Sequence, residues 1–250
     1  MIAALPMYDR PENAAAHDAL WSLIRDGLRA RGVAAPDALD RATGHMEGWA
    51  RDDLVLSQIC NLPWRARFRD KVTLIGASDY GLDCAPGHYF SVFVVRAEDP
   101  ATDPAQRAER FAYNEALSNS GWGAPQLWAA RHGFAFAPHL ATGAHWESAR
   151  AVAEGRADIA AIDAITWGNL SRWSPDAARL RVIGRTDATP GQSFITRKGQ
   201  DPAPYRAAIA EAIDVLPADH RATLGLRGIV ALPLSDYDIP LPPVPQAFAT

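Results

Sequence analysis

Ser118-Asn119-Ser120 runs into Gly121-Trp122-Gly123-Ala124-Pro125, between a stretch that reads as a strand and one that reads as a helix. Proline is tolerated only in a helix's first turn, where a missing N–H has no partner to lose. Pro125 therefore places the helix start around Ser120–Gly123. The free N–H groups and positive dipole end of that helix face the preceding loop. Ser118, Asn119 and Ser120 add side-chain donors, and Gly121 and Gly123 let a ligand approach the backbone. Such a start can hold a small anion by several donors without a lysine. The same residues also make an ordinary Ser or Asn cap with a glycine turn, and spacing leaves both readings open.

Two further groups follow. Gly143-Ala144-His145-Trp146-Glu147-Ser148 opens a helix that Gly155 ends. A histidine at a helix start can donate from its ring to an anion, although a lone histidine is more often a structural hydrogen-bonder. Gly155-Arg156-Ala157-Asp158-Ile159-Ala160-Ala161-Ile162-Asp163 then reads as a turn and a buried strand. That strand delivers Asp163 to its carboxyl end, the side on which open α/β sheets bind ligands. A helix N-cap and a ligand acceptor are compatible roles for Asp163.

The chain that positions these groups has 250 residues, 48% hydrophobic and 22% charged. At that length one core becomes strained, and two lobes of roughly 100–150 residues each are the expected solution. The net charge of −4 argues against a nucleic-acid partner, which calls for a basic excess on one face. A small anionic ligand is compatible with it, because oriented backbone N–H groups act locally. Cys60 and Cys84 make no disulfide framework and no Cys-x-x-Cys zinc motif, and they read as reduced thiols. No motif calls for a metal or a cofactor. The start, Met1-Ile2-Ala3-Ala4-Leu5-Pro6-Met7-Tyr8, lacks a basic residue and a signal-length apolar run. As written the chain is expected in the cytoplasm, or in the periplasm if an export signal is missing from this start. No stretch approaches the roughly 18 apolar residues needed for membrane insertion.

Strands are expected at Ile2–Met7, Leu54–Ile59, Val72–Gly76, Tyr89–Val95, Phe111–Tyr113, Asp158–Ile162, Leu180–Ile183 and Phe194–Thr196. Helices are expected over 12–31, where Leu20, Trp21, Ile24 and Leu28 share a face, near 122–132, 145–154 and 163–173, and over Pro202–Leu216. Ala97–Arg110 reads as a solvated linker, and Asp187-Ala188-Thr189-Pro190-Gly191 breaks the pattern again. This predicts an α/β chain with lobe 1 at 1–96 plus 185–250 and lobe 2, inserted through two hinge crossovers, at 97–184. The Pro-rich end is expected to pack over lobe 1.

Taken together, these segments resemble the phosphate, phosphite and phosphonate-binding subunits of ABC transporters, the PhnD-like family. The resemblance runs from Leu5-Pro6-Met7-Tyr8 to about Arg197. Its most specific parts are Ser118-Asn119-Ser120-Gly121, the Gly143-Ala144-His145 turn and the 155–163 segment. Leu56-Ser57-Gln58-Ile59-Cys60 and Tyr89-Phe90-Ser91-Val92 also fit. The resemblance implies a two-lobed type II periplasmic-binding-protein fold with a ligand cleft between lobes. It places ligand contacts on Ser118, Asn119, Ser120, Gly121 and His145, with Tyr8 and Gln58 from the first lobe and Asp163 accepting a ligand proton. It also implies an ABC-transporter permease as partner.

The function expected is a non-enzymatic receptor for a small oxyanion, closing by hinge motion. A second reading is a cytoplasmic enzyme resembling those of the menaquinone and thiamine-pyrimidine pathways, with His145, Asp163 or Cys60 as acid–base or nucleophilic groups. A third is a sensor that passes ligand state to a partner protein.

Overall fold

Alternating apolar strands and amphipathic helices fold into two compact units. The computed structural model describes residues 1–245. In chain order its strands are β1 (Ile2–Ala3), β2 (Leu54–Ile59), β3 (Val72–Asp79), β4 (His88–Tyr89), β5 (Ser91–Arg96), β6 (Phe111–Tyr113), β7 (Pro138–Ala141), β8 (Ile159–Asp163), β9 (Leu180–Arg185), β10 (Thr189–Pro190), β11 (Ser193–Arg197) and β12 (Gly228–Val230). Unit 1 comprises Met1–His88 and Pro190–Asp238, and unit 2 comprises Tyr89–Thr189 and the tail from Ile239.

Unit 1 is built on a mixed sheet of order β1-β2-β11-β3-β12. β1 runs parallel to β2, whereas β11 is antiparallel to both β2 and β3. Every residue of β2 is buried, as expected for a strand covered on both faces. One cover is the helix Ala14–Ala30, which turns Leu20, Trp21, Ile24 and Leu28 inward, with Tyr205, Ile209 and Ile213 of the helix Pro202–Val215 in the same core. A second core holds Trp49, Leu54, Ile59, Trp64, Phe68, Ile195 and Tyr237.

Unit 2 has a sheet of order β7-β6-β8-β5-β9, with β6 parallel to β7 and β8 and β5 antiparallel to β8 and β9. Val92, Val94, Ala160 and Ile162 line one core, and Phe93, Phe111, Tyr113, Trp122 and Phe136 another. The carboxyl ends of β6 and β8 lie at the same edge, and the functional candidates of this unit follow them.

The crossings between units differ from the expected 96/97 and 184/185. They fall at 88/89 and 189/190, because β5 and β9 pair with each other in unit 2. The apparent single strand Tyr89–Val95 changes sheets at Phe90: β4 pairs with β10, and β5 enters the unit 2 ladder. The expected linker is likewise folded into unit 2. Asp103 caps the helical turns Pro104–Arg110, and Asp99, 7% exposed, binds Arg107 at 2.9 Å.

The described part of the tail, 239–245, also belongs to unit 2 rather than lobe 1. The indole Nε1 of Trp122, itself 2% exposed, donates to the Pro243 carbonyl at 2.7 Å. Trp122→Phe keeps an aromatic ring but removes that bond and part of the buried indole. It is expected to lower stability by at least about 1 kcal/mol, read as a shift of the urea midpoint at unchanged m-value.

Candidate functional site

The 118–121 segment forms a capped turn at the end of β6. Ser118 is extended (φ −74°, ψ 124°), and its Oγ accepts from the Gly121 N–H at 3.0 Å. A wide π-type turn over Asn119–Gly123 follows and feeds the helix Ala124–Arg131, with Pro125 in its first turn. The first N–H groups of such a turn have no carbonyl one turn back to bond. The hydroxyl proton of Ser118 also stays available for donation, since its cap bond uses the oxygen as acceptor. Ser118 Oγ and Ser120 Oγ lie 3.4 Å apart.

His145 and Asp163 come to the same place. The Nε2 atom of His145, at the start of the helix His145–Ala153, is 2.8 Å from Ser120 Oγ and 3.5 Å from Asp163 Oδ2. Asp163 ends β8 opposite Ser91 of β5, and its Oδ1 accepts from the Thr166 N–H at 2.9 Å, so it is also the helix N-cap. Ser91 Oγ in turn donates to the Ser120 carbonyl at 2.9 Å. Ser118, Ser120, His145 and Asp163 thus form one buried cluster of donors and acceptors at a helix start.

The remaining candidates divide. Asn119 is fully buried, and its Nδ2 donates to Tyr89 Oη at 3.3 Å and Thr189 Oγ1 at 3.0 Å. These two bonds tie Asn119 to both ends of unit 2 at the crossings. At Gly121 a Cβ would stand 1.8 Å from Asn114 Oδ1 and 3.2 Å from His145 Cε1, so any side chain there must displace the Asn114 amide and press on the imidazole. Tyr8 and Gln58, in unit 1, line one small cavity together with Asn13, His17 and Tyr80 over Leu5, Leu20 and Phe194. Tyr8 packs edge-on against Tyr80 with centroids 5.4 Å apart, and Asn13 Nδ2 donates to the Tyr8 carbonyl at 3.0 Å.

Sequence reasoning gave no supporting role to Asn114 or Thr189, nor to Asn13 and His17 in unit 1; Tyr89 and Ser91 stood in a segment that fitted the resemblance but had no assigned role. Among the described residues no three His, Cys, Asp or Glu side chains group so as to hold a metal ion, and no helix is long and apolar enough to cross a membrane.

Burial lowers the pKa of His145 below its ordinary value, with the nearby Asp163 carboxylate opposing the shift. Burial also lowers that of His17, against the pull of Asp9. Both imidazoles are therefore neutral in the folded chain at neutral pH, while the unfolded chain takes up their protons below about pH 6.5. Their contribution to stability is complete above that pH and is lost as pH falls toward the lowered folded values. The prediction is a stability that drops as pH falls below about 6.5, with a shallower drop in His145→Gln, measured by urea unfolding at a series of pH values.

The cluster does not form a hydrolytic triad. A serine–histidine–aspartate relay needs the carboxylate on the ring nitrogen opposite the one that takes the serine proton. Here Ser120 and Asp163 both approach Nε2. What the geometry can do is bind: two hydroxyls, turn N–H groups and an imidazole converge without a lysine or arginine.

The family model for periplasmic substrate-binding proteins of phosphonate ABC transporters matches residues 2–231, and the chain belongs to that family. The family is one of transporter substrate-binding proteins, which sets aside the enzyme reading. Comparison with proteins of curated function gave no match.

Among solved structures, the chain is similar to XAC2383 from Xanthomonas citri bound to chloride (17% identity, 94% of this chain and 92% of that one, TM-score 0.70). It is similar to PhnD1 from Prochlorococcus marinus in complex with methylphosphonate (16%, 95% and 93%, TM-score 0.68). It is also similar to a binding-protein component of an ABC phosphonate transporter from Pseudomonas aeruginosa (17%, 94% and 82%, TM-score 0.67). At these identities the likeness shows the fold, the two-lobed type II periplasmic-binding fold.

Proposed function

We propose that this protein captures a phosphonate or a related phosphorus oxyanion, phosphate or phosphite, and presents it to an ABC-transporter permease. The observation that carries the reading is the convergence of Ser118 Oγ, Ser120 Oγ and His145 Nε2 at the start of the 119–131 helical segment. The two hydroxyls and the turn N–H groups donate to the oxyanion, and the helix dipole adds to the attraction. His145 Nε2 donates as well, oriented by Asp163, which also accepts the proton of a monoprotonated ligand. Tyr8 and Gln58 contribute from unit 1. Asn119 and Gly121 act by shaping the turn. The family's periplasm is the compartment in which this reading places the protein.

The test is a thermal-unfolding screen with methylphosphonate, phosphite, phosphate, sulfate and acetate. A ligand at about 100 times its dissociation constant adds roughly 2.7 kcal/mol, a clear rise in Tm. The reading expects that rise with at least one phosphorus oxyanion, with none from acetate. Equal shifts from sulfate and acetate, or none from any phosphorus compound, would remove it.

A further inference from the structure

The residue between the two candidate oxyanion hydroxyls is bonded to both strands at the chain crossings. Ser118 Oγ and Ser120 Oγ lie 3.4 Å apart, and Asn119 between them is fully buried. Its Nδ2 forks, donating to Tyr89 Oη at 3.3 Å and to Thr189 Oγ1 at 3.0 Å. Tyr89 and Thr189 are the first and last residues of the 89–189 segment of unit 2, so the crossings adjoin them. One side-chain amide in the oxyanion turn thus joins two strands that are far apart in the chain.

Those strands form the smallest sheet among the described residues. β4 and β10 are two residues each and pair with each other. Beside them the Gly191 N–H donates to the Gly87 carbonyl at 2.8 Å, the Thr186 N–H to the Ser91 carbonyl at 2.9 Å, and the Ser91 N–H to Thr186 Oγ1 at 3.0 Å. A two-stranded ribbon of this size is marginal by itself and opens locally at low cost, so one added tie changes how often it opens. A ligand held by the Ser118 and Ser120 hydroxyls fixes the residue between them, and a fixed Asn119 keeps both of its acceptors in place. By linkage the effect runs both ways: an open ribbon leaves the Asn119 amide without these acceptors and the turn less ordered for the ligand.

We infer that Asn119 is a positioning residue that couples oxyanion occupancy of the Ser118–Ser120 turn to the hydrogen bonding of the β4–β10 ribbon. The inference rests on the oxyanion-binding function proposed above and adds where in the chain occupancy is registered. Asn119 acts here through Tyr89 and Thr189, not by touching the ligand.

Hydrogen–deuterium exchange of the full chain, read at single amides with and without saturating methylphosphonate, tests it. In wild type the ligand is expected to slow exchange at Thr186 and Gly191 at least about fivefold more than in the β2–β11 ladder, the low end of an allosteric coupling. Asn119→Ala should abolish that excess while calorimetry still detects methylphosphonate binding. The double variant Tyr89→Phe/Thr189→Val removes both acceptors, leaves the residues of the turn untouched and should do the same. An Asn119 with a structural role alone would, when replaced, speed ribbon exchange equally with and without ligand. That result, wild-type binding with no excess slowing at the ribbon, or a folded variant that keeps the full excess would each overturn the coupling alone. Failure of methylphosphonate, phosphite and phosphate all to bind wild type would overturn the proposed function, and the coupling with it.

Discussion

Gly121→Ala is expected to abolish phosphonate binding and to lower stability by about 1–3 kcal/mol, the usual cost of forcing a methyl into a packed site. The added carbon meets Asn114 Oδ1 at 1.8 Å and Asn114 Cγ at 2.8 Å, with His145 Cε1 at 3.2 Å beyond them. The Gly143 N–H donates to the Asn114 main-chain carbonyl at 2.9 Å and holds that backbone, so the relief must come from the Asn114 side chain inside a buried site. The His145 ring carbon at 3.2 Å must also give by a few tenths of an ångström, which disturbs the Ser120–His145 contact. Urea unfolding and a methylphosphonate titration read the two effects separately. Unchanged affinity in a destabilised variant would show that the turn does not hold the ligand.

The second large effect is expected from the double variant Ser118→Ala/Ser120→Ala. A hydrogen bond to a charged group contributes about 1.5–3 kcal/mol, so each hydroxyl accounts for roughly ten- to a hundredfold in affinity. Because the hydroxyls stand 3.4 Å apart and would meet the same ligand group in the proposed site, their losses are not independent. The pair together is expected to lose at least about a hundredfold. Both single variants should also cost about 1 kcal/mol of stability: Ser118→Ala removes the cap on the Gly121 N–H, and Ser120→Ala removes the bond to the His145 ring. A serine pair that mattered only as a cap would give the stability loss without the loss of binding.

Much of this arrangement was legible in the residues. The continuous apolar run Leu54–Ile59 is a fully buried strand, and the stripe of Leu20, Trp21, Ile24 and Leu28 is the inner face of a helix. Asp163 sits at a strand end as its own N-cap, as the apolar segment before it implied. The unit boundaries were harder, for a physical reason. Tyr89–Val95 has uniform strand composition, yet the chain changes sheets at Phe90, and only the pairing partners near 162 and 182 reveal that. The helix Ala218–Leu224 and strand β12 are too short to show a period. In the site, Ser118, Ser120 and His145 stood out by type and position. Asn119 and Gly121 were expected as ligand groups; the bonds of Asn119 to Tyr89 and Thr189, from distant segments, were not legible, whereas Gly121 lies against Asn114 of its own loop. Tyr8 and Gln58 emerged through the family resemblance, because an aromatic or amide residue at a strand end is ordinarily core.

The most direct test of the oxyanion site is a crystal structure of the protein grown with methylphosphonate. The phosphonate oxygens are predicted within about 2.6–3.0 Å of Ser118 Oγ and Ser120 Oγ, with His145 Nε2 as a further donor. Phosphonate bound elsewhere, with the Ser118–Gly121 turn holding none, would contradict the account.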